Sequence, residues 1–375
     1  MNFTYMNNKR VIIVGGGLAG LYTAYQLEQL NIPYLLFEAK DVFGGRIYSE
    51  QPKVYDENAP LHDLGPTWIF PHHHQMKALV ADLKTHLFDQ HIEGAVVYHA
   101  DQHTQPQVIE NGQGPLLHRL AGGLYKLILA LQAKLSKDNY QLNCQVEQLT
   151  KVHDSWQVTV KNTKDDSTSV FETDHLVLAL PPRIINEFLT PVHWASKALT
   201  AALVAVPTWM ASQAKFIATY EEAFWRTKGL AGQAFSLVGP MIEIHDASAQ
   251  VQQDFALFGF IGLSSQAIEG LSVERVKALC INQLSLLFGD EAQQYSQCYL
   301  KSWGNDHYVA VEKDRVEAPN HPYFNIKGFT GELSSLNLYL AGSEFAQQEA
   351  GYLEGALFAA NSTIRSLKKE FNDLN

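Results

Sequence analysis

Cysteine is scarce in this chain: Cys144, Cys280 and Cys298 are the only three in 375 residues, and no two form a C-x-x-C pair. That spacing excludes a disulfide framework and a thiolate zinc site, and it suits a reducing compartment. Positive charge is also in short supply. Against 39 Asp and Glu stand 28 Lys and Arg, a net charge of -11. Nucleic acid is thereby disfavoured as a partner, because its phosphates would be repelled. An acidic surface is compatible with cationic substrates but is most simply a solubilising one. No apolar run reaches membrane-spanning length, the opening MNFTYMNNKR holds no secretory apolar segment, and the closing KKEFNDLN is polar. The expectation is a cytoplasmic protein with no membrane anchor. Neither a P-loop nor a Ser-His-Asp arrangement is evident.

Apolar residues make up 46% and charged residues 18% of the chain, enough for large buried surfaces, and the length suggests two domains. The segment KRVIIVGGGLAGLYTAYQLEQLNIPYLLFEAK, starting at Lys9, reads as strand, glycine turn, helix, strand. VIIV is short, β-branched and bounded by glycine, as a buried parallel strand should be. Gly15, Gly17 and Gly20 fit G-x-G-x-x-G: a tight turn, close approach of a pyrophosphate, and close packing of helix on strand. Leu18 and Ala19 open the helix whose N-terminal amides would face the phosphates. Glu38, followed by Ala39, ends the second strand, placed to accept hydrogen bonds from a ribose. An acid there disfavours a 2'-phosphate; it does not separate NAD from FAD.

Three further segments do. Gly44-Gly45-Arg46 follows Glu38 closely, DLGPTWIFP runs from Asp63 to Pro71, and AGSEF with GYLEGA lies near the end. Together they resemble the fingerprint of the flavin-containing monoamine oxidase family, with polyamine and amino-acid oxidases among its members, and the likeness extends over most of the chain. The resemblance implies an α/β fold: a discontinuous Rossmann-like FAD-binding domain (1–75, 140–182 and 329–375) and a mixed-sheet plus helical substrate domain (76–139 and 183–328). It implies that Gly44, Gly45 and Arg46 meet the phosphates, that Gly65, Pro66, Thr67 and Trp68 run beside the isoalloxazine, and that Val146 meets the adenine. Gly342, Ser343 and Glu344 would follow the ribityl chain. Gly351, Tyr352 and Leu353 would begin a C-terminal helix aimed at the flavin.

The catalytic candidates follow from the same likeness. Lys215, in QAKFIATYEEAFWR, matches a lysine that holds a water against the flavin; read alone it is a strand lysine reaching solvent. Trp303 and Tyr308, in SWGNDHYVAV, match an aromatic segment and are expected to wall the site with Tyr352. No cysteine follows Tyr308, so FAD is expected to be non-covalent, and Lys313 stands where a second tyrosine would fall. The implied reaction oxidises a small-molecule amine, with oxygen as acceptor. An amino-acid oxidase would need an arginine clamp, for which Arg183, Arg226 and Arg315 are candidates. A carotenoid- or porphyrinogen-type oxidase and a non-catalytic FAD-binding protein are the other readings. PHHHQ at Pro71 invites a metal, but consecutive histidines point apart and no second ligand cluster follows, so none is expected. Monomer and homodimer stay open. The stretch from His72 to about Leu135 reads as mainly helical, with a turn at NGQGP.

Overall fold

The computed structural model describes residues 11–50, 61–110, 115–250, 254–317 and 320–372. The N-terminal decapeptide and most of the NGQGP turn lie outside them. The buried run Val11–Val14 is the centre of a five-stranded, all-parallel sheet. Its order is Leu338–Leu340, His175–Leu178, Val11–Val14, Tyr34–Phe37, Tyr140–Gln141. Three of these strands are buried on both faces, which is why they read as continuous apolar runs rather than alternating ones. One face is covered by the helices Leu18–Gln29, Tyr125–Gln132 and Leu353–Asn372. The other packs on the three-stranded meander Cys144–Val152, Ser155–Asn162, Thr168–Thr173 and on the helix Pro182–Leu189.

The helix Leu18–Gln29 can lie against the central strand because position 20 is glycine. A Cβ there would stand 1.9 Å from the Gly15 carbonyl oxygen.

The second large sheet has seven strands in the order Gln297–Ser302, Ala214–Tyr220, Phe255–Ile261, Met241–Asp246, Leu230–Ser236, Ala95–His99, Gln107–Ile109. The helix Val273–Phe288 closes its far face through Val276, Cys280, Ile281 and Leu284. Two of these strands overturn the helical reading of 72–135. Helices occupy His74–Asp82 and Tyr125–Gln132, but AVVYH at Ala95–His99 is a strand paired parallel to Leu230–Ser236. Its β-branched pair suits a pleated surface, and the pairing that stabilises it comes from a segment more than a hundred residues away. The strand Ala214–Tyr220 lies inside this sheet and is buried on both faces rather than alternating.

Candidate active site

A cavity of about 540 Å³ runs between the glycine turn of the parallel sheet and the seven-stranded sheet. At one end the helix Leu18–Gln29 begins at Gly17 with no side-chain cap, so its first amides face open space beside Gly15, Leu18 and Ala19. Gly15 has φ +101°, a conformation open to glycine at little cost. A Cβ added at Gly17 would meet nothing nearer than 3.9 Å and would stand in the cavity. Glu38 Oε2 accepts the Gly16 N–H (2.7 Å) and Oε1 the Lys40 N–H (2.9 Å). Burial raises its pKa and these backbone donors oppose the rise. Ala39, Gly44, Gly45 and Val146 complete this end. An uncapped helix start, a glycine-lined trough and a buried acid beyond it fit the pyrophosphate and ribose of a dinucleotide.

Arg46 reaches the cavity wall but is committed elsewhere. Its Nη1 donates to Glu344 Oε1 (2.6 Å) and the Trp209 carbonyl (2.8 Å); its Nη2 donates to Glu344 Oε2 and Ser343 Oγ (both 3.0 Å). The expected phosphate cation is therefore a bidentate partner of Glu344. Glu344 is fully buried and, unlike Gly342 and Ser343, does not line the cavity. Burial alone would raise its pKa, yet the guanidinium and hydrogen bonds outweigh that and hold it below its ordinary value.

At the other end, Gly65, Pro66, Thr67 and Trp68 line one wall, with Gly342, Ser343, Gly351, Tyr352 and Leu353 on another. Lys215 lies behind the first wall. It is 2% exposed, so its head does not reach solvent. Nζ donates to the Gly65 carbonyl (3.2 Å) and to Thr67 Oγ1, and sits 4.0 Å from the Phe258 ring centroid. Burial pushes its pKa down, opposed by the charge of Asp63. Asp63 was legible only as the first letter of a motif. In the fold its Oδ1 accepts the Leu124 N–H (2.7 Å), and burial raises its pKa against the pull of Lys215 and Arg119.

The expected aromatic wall is corrected at two positions. Trp303 is 1% exposed, donates Nε1–H to the Leu64 carbonyl (3.0 Å) and backs Gly65, where an added Cβ would meet its ring at 3.3 Å. It supports the wall from behind. Tyr308 does line the cavity, but at the Glu38 end: its hydroxyl donates to Gln145 Oε1 (3.2 Å). The rings around Tyr352 are Trp209 at 5.8 Å, Phe70 at 5.9 Å, His321 at 5.4 Å and His73 at 6.2 Å. Trp209 carries no motif and Phe70 lies inside one without a mark of its own, so neither could be picked from spacing.

The histidine run does acquire a third group, from the far end of the chain: His72, His73 and Glu349 converge within 4.8 Å. His73 Nδ1 accepts the Phe70 N–H (3.3 Å), which leaves the proton of the neutral ring on Nε2, the atom facing Glu349 at 3.7 Å. That tautomer does not suit ligation through Nε2.

The whole-chain comparisons agree with this geometry. Residues 104–363 match the family model described as flavin containing amine oxidoreductase, and residues 13–83 match an NAD(P)-binding Rossmann-like domain. The chain is 24% identical to a probable flavin-containing monoamine oxidase A of Dictyostelium discoideum, over 96% of this chain and 97% of that protein. Its fold is similar to that of cyclohexylamine oxidase from Brevibacterium oxydans IH-35A, with TM-score 0.78, 16% identity, and 98% and 100% of the two chains covered. A putrescine oxidase with putrescine bound is similar at TM-score 0.76 and 16% identity, covering 96% of this chain and 99% of that one. With the family model spanning more than half of its length, the chain belongs to the flavin-containing amine oxidoreductases and is a flavin-dependent enzyme.

Proposed function

We propose that this protein is an FAD-dependent amine oxidase acting on a small-molecule amine. The CH–NH unit loses two electrons and two protons to become an imine, and oxygen takes them up as hydrogen peroxide. Bound in the cavity, FAD supplies the two-electron relay between the two substrates. The chain's own residues hold and orient. The uncapped helix start and Gly17 receive the pyrophosphate, Glu38 the ribose, and Gly351 with Tyr352 the edge of the ring system. Burial pushes the Lys215 pKa down to about 7; its neutral form donates its two N–H bonds to Gly65 and Thr67 and keeps a lone pair with which to hold a water at the reacting end. The same reading assigns 1–75, 140–182 and 329–375 to the FAD-binding domain and 76–139 with 183–328 to the substrate domain. Support comes from the parallel sheet, whose strands are all drawn from the first set.

The observation that carries amine over amino acid is where the arginines are. Arg183 is paired with Asp314 (2.7 Å) and Glu317, Arg226 with Asp246 (2.8 Å), and Arg315 with Glu269 (2.6 Å). None of the three lines the cavity, and Arg46 is occupied by Glu344. A substrate carboxylate would be desolvated there without a guanidinium partner among the described residues. An anaerobic panel of amines and matching α-amino acids, read by flavin absorbance, tests this. Amines are expected to bleach the flavin faster. Faster bleaching by amino acids, abolished in Arg226→Ala or Arg315→Ala, would replace the proposal with an amino-acid oxidase.

A further inference from the structure

One row of side chains crosses the seven-stranded sheet beneath the Tyr352 end of the cavity. Lys215 pairs with Phe260, and Phe260 pairs in turn with Glu243, on three successive strands. Residues paired across neighbouring strands present their side chains to the same face, and strands lie about 4.8 Å apart, so Glu243 stands on the order of 10 Å from Lys215, backbone to backbone. Phe260 and Glu243 both line the cavity, and Lys215 holds the residues that line it opposite. Trp68, Phe70, Trp209 and Tyr352 also line the cavity and offer rings, and Met210, Gln213 and Ile242 beside them carry no charge.

Glu243 is held in place. His245 Nε2 meets its Oε1 at 2.6 Å, and the His245 ring is itself stacked on Phe258 (5.4 Å) and edge-on to Trp68 (4.8 Å). The side chain is 37% exposed, and Oε2 has no hydrogen bond or ion pair among the described residues. A carboxylate with one oxygen anchored and one free, at the edge of an aromatic chamber, is an acceptor for a cation.

We infer that Glu243, oriented by His245, determines substrate specificity by receiving a second positive charge on the substrate: the preferred amines are diamines, with the distal ammonium on Glu243 and a short methylene chain against the rings. This rests on the amine-oxidase reading. A distal ammonium entering an apolar chamber loses water, and a charge-assisted hydrogen bond to a fixed carboxylate offsets that loss. A methyl in its place leaves the carboxylate facing hydrocarbon.

The test compares 1,4-diaminobutane with n-pentylamine, in which a methyl replaces the distal ammonium. In the wild type kcat/KM is expected to favour the diamine by about 10- to 100-fold, the range of a hydrogen bond to a charged group. In Glu243→Gln that ratio is expected to fall to within about threefold. Glu243→Asp keeps the charge on a shorter arm, so the best diamine in a series of three to six carbons should lengthen by about one methylene. Calorimetry on the holoenzyme with 1,4-diguanidinobutane and n-pentylguanidine, which carry no amine to oxidise, should show the same preference and its loss in Glu243→Gln. Equal wild-type affinity for the two guanidines, or a preference that survives Glu243→Gln, overturns the inference. Bleaching of the flavin by neither amine would overturn the amine-oxidase reading instead, and the calorimetric pair would still decide Glu243.

Discussion

Lys215 shows what burial does to a single side chain. Its ammonium would lie against the Phe258 ring with almost no water, so the neutral amine is favoured and the pKa falls. Between that lowered value and the ordinary lysine value the unfolded chain binds a proton the native one does not, so stability rises with pH across this window. Lys215→Met should abolish that rise, measured by urea melts at about pH 7 and about pH 10. Replacing the amine also removes the proposed hold on water, so the oxidative half-reaction with oxygen should slow by about 100-fold and more than the reductive one. Equal slowing of the two half-reactions in stopped flow would remove the assigned role. Trp303 is the converse case: matched by motif, it is buried behind Gly65, where its ring acts on the site only through the backbone it supports.

At the scale of elements, the helix Leu353–Asn372 is tied at its start from two directions. Gly351 has φ +85°, and a Cβ there would come within 2.7 Å of Trp209 Cβ. Glu354, in the first turn, accepts the N–H groups of Gln75 (2.8 Å) and Met76 (2.9 Å) and so caps the helix His74–Asp82 from outside. Glu354→Ala leaves the buried Met76 amide and the part-buried Gln75 amide without this partner, at a cost of about 1–3 kcal/mol, and should lower the Tm by several degrees in a thermal melt monitored by circular dichroism. An unchanged Tm would mean that water replaces the carboxylate. The glycines of GYLEGA were legible in sequence because they answer local demands of the backbone. The partnership of Glu354 with residues 75 and 76 was not, because nothing local to either helix requires it.

For the whole molecule, the parallel sheet is assembled from separated stretches of chain, and Arg46 with Glu344 joins the first of them to the last inside the core. FAD bound between these parts would stabilise them together by mass action. Adding free FAD at about 100 times its Kd should raise stability by roughly 2.7 kcal/mol, visible as a concentration-dependent Tm. Val309, not cysteine, follows Tyr308, and it lies on the cavity wall. Acid precipitation is therefore expected to leave the flavin in the supernatant; colour in the pellet would show a covalent link by some other residue.

Family, fold class and the dinucleotide end were readable in the chain alone because they depend on neighbours in sequence: strand, glycine turn, helix, acid. The segment AVVYH was misread because the strand it pairs with lies more than a hundred residues on. The aromatic chamber around Tyr352, the commitment of Arg46 to Glu344, the burial of Lys215 and the Lys215–Phe260–Glu243 row were decided only by tertiary structure. Each brings together residues from distant segments through sheet register or close packing, and neither leaves a spacing that a sequence can show.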